Sequence, residues 1–166
     1  MMKYYHAIIL VGGRSTRFKN YSGLNNKKPK SLGLIDKDTL IIHVLKHFIK
    51  YEIKHFILPL GYYKKEFVEY FKKIRTINRI KCNILFTQKD YLYFCEHKNE
   101  EINIYLCNTG LYKNKAERVN YIINKLSLAK FIVSYGDAVG NINLKKVFKY
   151  HYNSDCIATG VGMILK

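Results

Sequence analysis

A run of five apolar residues, Ala7–Val11, stops at Gly12-Gly13 and gives way to the basic stretch Arg14-Ser15-Thr16-Arg17. A short, continuous apolar run bounded in this way reads as a strand buried on both faces, as in parallel sheets. Two glycines directly after it let the backbone turn sharply and approach a ligand closely. Similar runs recur. Phe56–Leu60 ends in Gly61, and Ile84–Thr87 and Phe131–Val133 read as further strands. Ile102, Ile104 and Leu106 alternate with other residues, as in a half-buried strand. Between the runs the period becomes helical. Ile41, Leu45, Phe48 and Ile49 share one face, with Asp38 or Thr39 as N-cap. Phe67, Val68, Phe71 and Ile74 repeat the pattern, as do Ala116, Val119, Ile122, Ile123 and Leu126. Asn143 would cap a short helix carrying Leu144, Val147 and Phe148. Gln88–Glu101 reads as a polar loop and Cys156–Leu165 as a last strand. Strands alternating with helices predict βαβ units in one α/β domain over residues 1–166, a mostly parallel central sheet flanked by helices. Ligands of such sheets sit beyond the carboxyl ends of the strands, which singles out Gly12–Lys30 and Gly136–Gly140.

Composition narrows the setting. The chain has 166 residues, one domain's worth, and 48% of them are hydrophobic, enough for a real core. The five apolar residues near the N-terminus are too few for a signal-peptide core or a membrane span. A soluble cytoplasmic protein with no membrane partner is therefore expected. Cys82, Cys95, Cys107 and Cys156 form no C-x-x-C pair, so buried reduced thiols are expected rather than a metal site or a disulfide framework. The formal charge of +17 suggests anionic partners, but the lysines are spread along the chain. With no clustered basic stripe and interleaved aromatics, nucleic acid ranks last among those partners.

The first loop holds phosphate chemistry. Its backbone N–H groups can cradle an anion. Arg17 offers a planar fork to phosphate oxygens, and Lys30, in Lys28-Pro29-Lys30, adds a mobile point charge. The string is neither G-x-x-x-x-G-K-[ST] nor G-x-G-x-x-G, so neither a P-loop nor a dinucleotide fingerprint applies. His43 and His47 are spaced i,i+4 but lack an H-E-x-x-H context, and a helix-surface role is expected for them.

Val11-Gly12-Gly13-x-x-Thr16-Arg17 followed by Lys28-Pro29-Lys30 resembles the signature of sugar-phosphate nucleotidyltransferases. Leu60-Gly61-Tyr62-Tyr63-Lys64, Glu69-Tyr70-Phe71, Asn108-Thr109-Gly110, Arg118-Val119 and Ser134-Tyr135-Gly136-Asp137-Ala138-Val139 resemble segments of the glucose-1-phosphate cytidylyltransferase group. The resemblance implies a Rossmann-like nucleotidyltransferase fold. It implies transfer of CMP from CTP to a small phosphorylated acceptor with release of pyrophosphate, in capsule or surface-glycan precursor synthesis. Arg17 and Lys30 would be catalytic, holding the triphosphate and the acceptor phosphate. Val11, Gly12, Gly13, Arg14, Ser15 and Thr16 would bind the nucleotide, with Thr109, Gly110 and Gln88 near the base. Asp137 would bind Mg²⁺, the implied cofactor. Family members often assemble into oligomers, so a homo-oligomer is among the implied partners.

The chain departs from that pattern at several points. Ser15 stands where the family has Gly, Asn108 replaces the Asp of D-T-G, and Ala138 follows Asp137 in place of Gly. Leu111–Glu117 is shorter than the family's segment and lacks its T-G-G-R glycines. Phosphoglutamine, the acceptor in capsule phosphoramidate synthesis, therefore stands level with a sugar 1-phosphate. Relatives carry a further C-terminal half-domain with more of the acceptor pocket and a second metal carboxylate, so the fold is expected to be truncated at Lys166. UTP or dTTP as donor, and a non-catalytic nucleotide-binding module of the same fold, are the alternatives.

Overall fold

A computed structural model describes residues 5–14, 29–86 and 101–162. Its centre is a six-stranded sheet. The strands are β1 (His6–Leu10), β4 (His55–Leu60), β5 (Thr76–Ile77), β6 (Ile80–Phe86), β7 (Ile102–Asn108) and β8 (Phe131–Tyr135), in the order β5-β6-β7-β4-β1-β8. All neighbours run parallel except β5, which turns back on β6 as a short antiparallel edge. A separate two-residue ribbon pairs β2 (Leu34–Ile35) with β3 (Asp38–Thr39). The helices are α1 (Leu40–Ile49), α2 (Lys64–Lys72), α3 (Lys115–Leu126) and α4 (Leu144–Tyr152), with a 3-10 turn at Lys30–Leu32.

Strand parity assigns each side chain to a layer. Ala7 and Ile9 of β1, Phe56 and Leu58 of β4, and Ile104 of β7 face one side, where α1, α2 and Leu144 of α4 cover them. Ile8, Ile57, Tyr105 and Cys107 face the other, under Ile122 of α3. Ile8 and Ile57 are fully buried, and removing such a side chain from water is worth about 1.5–3 kcal/mol. With four parallel neighbours in the sheet, the loops after β1, β4, β7 and β8 gather at one edge.

Three expectations need correction. The alternation in Ile102–Leu106 suggested a half-exposed strand, yet every residue from Ile102 to Cys107 is buried. β7 lies between β4 and β6, and the intervening Asn103, Tyr105 and Cys107 lie beneath covering structure rather than in water. Cys156–Leu165 is not a strand over its described part. Residues 156–162 form neither helix nor strand, and Ile157 is fully exposed. A run of β-prone residues needs a neighbour to pair with, and β8 pairs only with β1 among the described residues. Cys156 is exposed, unlike the buried Cys82 and Cys107, and Cys95 lies outside the described residues. Thr39 is the N-cap of α1, but its hydroxyl pairs with Tyr70 at 2.8 Å and does not cap the backbone. Among the described residues no helix is long and apolar enough to cross a membrane.

Candidate functional site

Four parallel strands deliver their carboxyl ends to a cavity of about 1100 Å³. That is slightly above the usual size of a small-molecule site, about 300–1,000 Å³. One wall is the loop after β1, residues 11–14, with Lys30 and Ser31 behind it. The opposite wall is the segment from Leu111 into the first turn of α3. Tyr62, Tyr135 and Asp137 complete the lining.

Each functional side chain has a local reason for its position. Pro29 sits at φ −67°, the angle its ring imposes, and starts the 3-10 turn. Leu32 N–H donates to Pro29 O at 3.0 Å and Gly33 N–H to Lys30 O at 2.9 Å, which fixes the Lys30 backbone. Gly136 N–H donates to Leu10 O at 3.1 Å, extending the β1–β8 pairing by one residue and setting Asp137 beside the first loop. Lys30 Nζ and Asp137 Oδ2 then meet at 3.4 Å, from segments more than a hundred residues apart. Asp137 is the sole carboxylate on the cavity lining among the described residues. Arg14, Lys113 and Lys115 add positive charge to the same lining.

Cation–aromatic contacts hold both ends of the cavity. Arg14 Cζ lies 4.7 Å from the centroid of the Tyr62 ring, and Tyr63 donates its hydroxyl to Arg14 O at 3.2 Å. Lys115 Nζ lies 4.6 Å from the Tyr135 ring centroid and 3.5 Å from its hydroxyl oxygen. The second contact joins the start of α3 to the end of β8, across the strands between them.

The floor is Arg118, which is 4% exposed. Its Nη1 donates to Leu60 O at 3.1 Å, to Gly110 O at 2.8 Å and to the Thr109 hydroxyl, and its Nη2 donates to Leu111 O at 3.2 Å. Burial pushes its pKa down from the ordinary arginine value, with Glu117 opposing that shift. Thr109 in turn donates its hydroxyl to Leu60 O at 2.8 Å.

Of the residues singled out in the sequence, the structure brings Val11, Gly12, Gly13, Arg14, Lys30 and Asp137 to one cavity. Thr109 is buried, held to the end of β4, and Gly110, at φ 85°, is exposed beside it. Ser15, Thr16, Arg17 and Gln88 lie outside the described residues. The sequence reading gave Arg118 no role. Its only signal was the Arg-Val pair within a helical stretch, where an arginine ordinarily reads as solvated. His43 reaches Ile35 O at 3.1 Å through Nε2, and His47 packs edge-on against Tyr51 with burial lowering its pKa. No group of three or more metal-binding side chains occurs among the described residues.

No protein-family model matches the chain. It is 29% identical over 158 residues to a probable glucose-1-phosphate cytidylyltransferase of Bacillus subtilis, covering 95% of this chain and 59% of that protein. It is 26% identical over 151 residues to the glucose-1-phosphate cytidylyltransferase of Salmonella typhimurium, covering 87% of this chain and 55% of that one. The chain thus spans little more than half the length of these relatives. Its fold matches the crystal structure of HddC from Yersinia pseudotuberculosis complexed with GMP-PN, at a TM-score of 0.62 and 18% identity, over 91% of this chain and 56% of that one.

Proposed function

We propose that this chain, a relative of the sugar-phosphate nucleotidyltransferases, is the nucleotide-binding domain of a Mg²⁺-dependent cytidylyltransferase that joins CMP from CTP to a small phosphorylated acceptor. The observation that carries the reading is the Lys30–Asp137 pair at the mouth of the glycine loop: one cation and one carboxylate, 3.4 Å apart, in a cavity whose other charged lining residues, Arg14, Lys113, Lys115 and Arg118, are all cations.

The donor set suits magnesium. Mg²⁺ takes oxygen ligands and is usually held by one or two carboxylates together with substrate phosphates. Asp137 supplies such a carboxylate, and a bound triphosphate would supply the remaining oxygens. When bound, the ion would neutralise charge on the phosphates. The chain's own residues would do the rest by position and charge. The backbone of Gly12 and Gly13 would lie along the nucleoside, where side chains would obstruct it. Lys30, beside Asp137, would present its ammonium to the phosphate oxygens. Arg17 would add a bidentate contact. An acceptor phosphate oxygen then attacks the α-phosphorus in line, forming the new P–O bond as the bond to pyrophosphate breaks. Such catalysis needs positioning and charge stabilisation, with no covalent enzyme intermediate.

Leu111–Ala116 of the altered segment line the cavity on the side of α3 and bear on the acceptor. Phosphoglutamine and a sugar 1-phosphate are the two acceptors to try first. Thermal melts with CTP, UTP, dTTP, ATP and GTP, each with and without Mg²⁺, test the donor. A ligand at a hundred times its Kd adds about 2.7 kcal/mol, which moves Tm by roughly 5–10 °C in a chain of this size. The expected result is such a shift for CTP with Mg²⁺ and for no other nucleotide. An equal shift with UTP or dTTP overturns the base assignment, and no shift with any nucleotide overturns the function.

A further inference from the structure

Arg118 is a buried cation with no carboxylate at ion-pair distance among the described residues. Leaving a charge so placed is expensive unless its hydrogen bonds are made with good geometry. Here its acceptors are oxygens at the end of β4 and in the loop after β7.

The guanidinium also occupies space that side chains would take elsewhere. A Cβ on Gly12 would fall 2.9 Å from Arg118 Cζ and Nε, and one on Gly61 would fall 2.6 Å from Nη2. The two glycines lie against the planar fork, and the same Gly61 Cβ would fall 2.6 Å from Gly12 O. Three loops, after β1, β4 and β7, therefore meet on one side chain contributed by α3. A lysine cannot replace it. A single ammonium on a flexible stem lacks the flat face on which two backbones rest, and it lacks the fork that reaches Leu60, Gly110 and Leu111 together.

We propose that Arg118 is a positioning residue. By bonding the ends of β4 and β7 and supporting Gly12 and Gly61, it sets the shape of the glycine loop, and through that loop it sets nucleotide affinity. It acts through the loops and needs no contact with the nucleotide. The affinity part of this inference rests on the function proposed above; the loop part does not.

Arg118→Lys is the test, in the full chain, with two readouts. In ¹⁵N relaxation dispersion without ligand, the amides of Gly12, Gly13, Gly61 and Gly110 should acquire exchange on the microsecond-to-millisecond scale at one common rate, while Gly33 and Gly140 stay as in the wild type. Exchange at Gly110 alone, or at none of them, overturns the proposal. By calorimetry on the folded protein, Kd for Mg–CTP should rise roughly 10- to 100-fold, the scale of an ångström's misplacement in a preorganised site. A merely structural arginine would lower Tm and leave that Kd unchanged, which also overturns the proposal. If Arg118→Lys does not fold, Thr109→Val, which removes one acceptor and keeps the guanidinium, is judged by the ligand-free relaxation readout: exchange shared by Gly12, Gly61 and Gly110 supports the proposal and its absence overturns it. If the wild type binds no Mg–CTP, the proposed function fails, and the relaxation measurement still decides the role of Arg118.

Discussion

Lys30 and Asp137 approach each other with side chains 45% and 34% exposed. Ion pairs in that setting contribute about 0–1 kcal/mol to stability, because water screens them. The fold therefore does not require the pair, and removing it separates structure from chemistry. Asp137→Asn should change unfolding free energy by less than about 1 kcal/mol. It should abolish the Mg²⁺ dependence of CTP binding, measured by titration calorimetry with and without the metal. An unchanged Mg²⁺ response would remove Asp137 from the metal site. Lys30→Met keeps the length of the side chain without its charge and should weaken Mg–CTP binding by roughly tenfold, the worth of a charged hydrogen bond. Both residues are legible in the sequence because each belongs to a short string at a strand's carboxyl end, where parallel sheets carry ligands. Arg118 is not legible in that way. Its burial depends on residues 109–111 folding back over the first turns of α3, and no periodicity within Ala116–Leu126 records that contact.

At the scale of elements, α3 does two jobs at once. Ile122 packs on Ile8 and Ile57, while the first turn forms a cavity wall. That turn is held by a reciprocal cap: Asn114 Oδ1 accepts from Glu117 N–H at 3.0 Å, and Glu117 Oε2 accepts from Asn114 N–H at 2.6 Å. The cap positions Lys115, whose ammonium lies over Tyr135 at the end of β8. Asn114→Ala should cost about 1 kcal/mol, and so lower Tm by roughly 2–4 °C. Trypsin should then cut faster after Lys113 and Lys115, and an unchanged cutting rate would show that the wall is held by something else. The helices are legible from their apolar spacing. Their caps are less so, since Thr39 carries a capping residue type and uses its hydroxyl on Tyr70 instead. The strands are legible where apolar residues are continuous, as in β1 and β4. They are misread where burial comes from the tertiary fold. Asn103 is 1% exposed because β7 sits inside the sheet, not because of its own polarity. The β2–β3 ribbon and β5, two residues each, are too short to leave a period.

For the molecule as a whole, the ligand chemistry lies at the carboxyl edge of the sheet, and the opposite edge carries a separate electrostatic load. His6 and His55 pair in register at the amino ends of β1 and β4, with ring centroids 5.2 Å apart. Burial pushes the His6 pKa down to about 4, helped by repulsion from His55. Burial also lowers His55, with Lys54 adding to the effect, and its Nδ1 is buried without a hydrogen-bond partner among the described residues. Both rings are therefore neutral in the fold at neutral pH, whereas in the unfolded chain each protonates near its ordinary value of about 6.5. Between about pH 4 and 6.5 the unfolded chain binds more protons, so stability falls as pH falls through that window. Denaturant melts should show a plateau above about pH 6.5 and a steady decline below it. His6→Phe, which keeps an aromatic ring and removes the titrating group, should flatten that decline. His55→Phe should in addition raise the His6 pKa from about 4, followed by the His6 ring resonances in a pH titration, because the neighbouring charge is gone. A decline of the same slope in the wild type and in His6→Phe would place the acid sensitivity elsewhere. Since the pair lies at the far edge of the sheet from Lys30 and Asp137, neither substitution should change Mg–CTP affinity at pH 7.5, which separates this effect from the site.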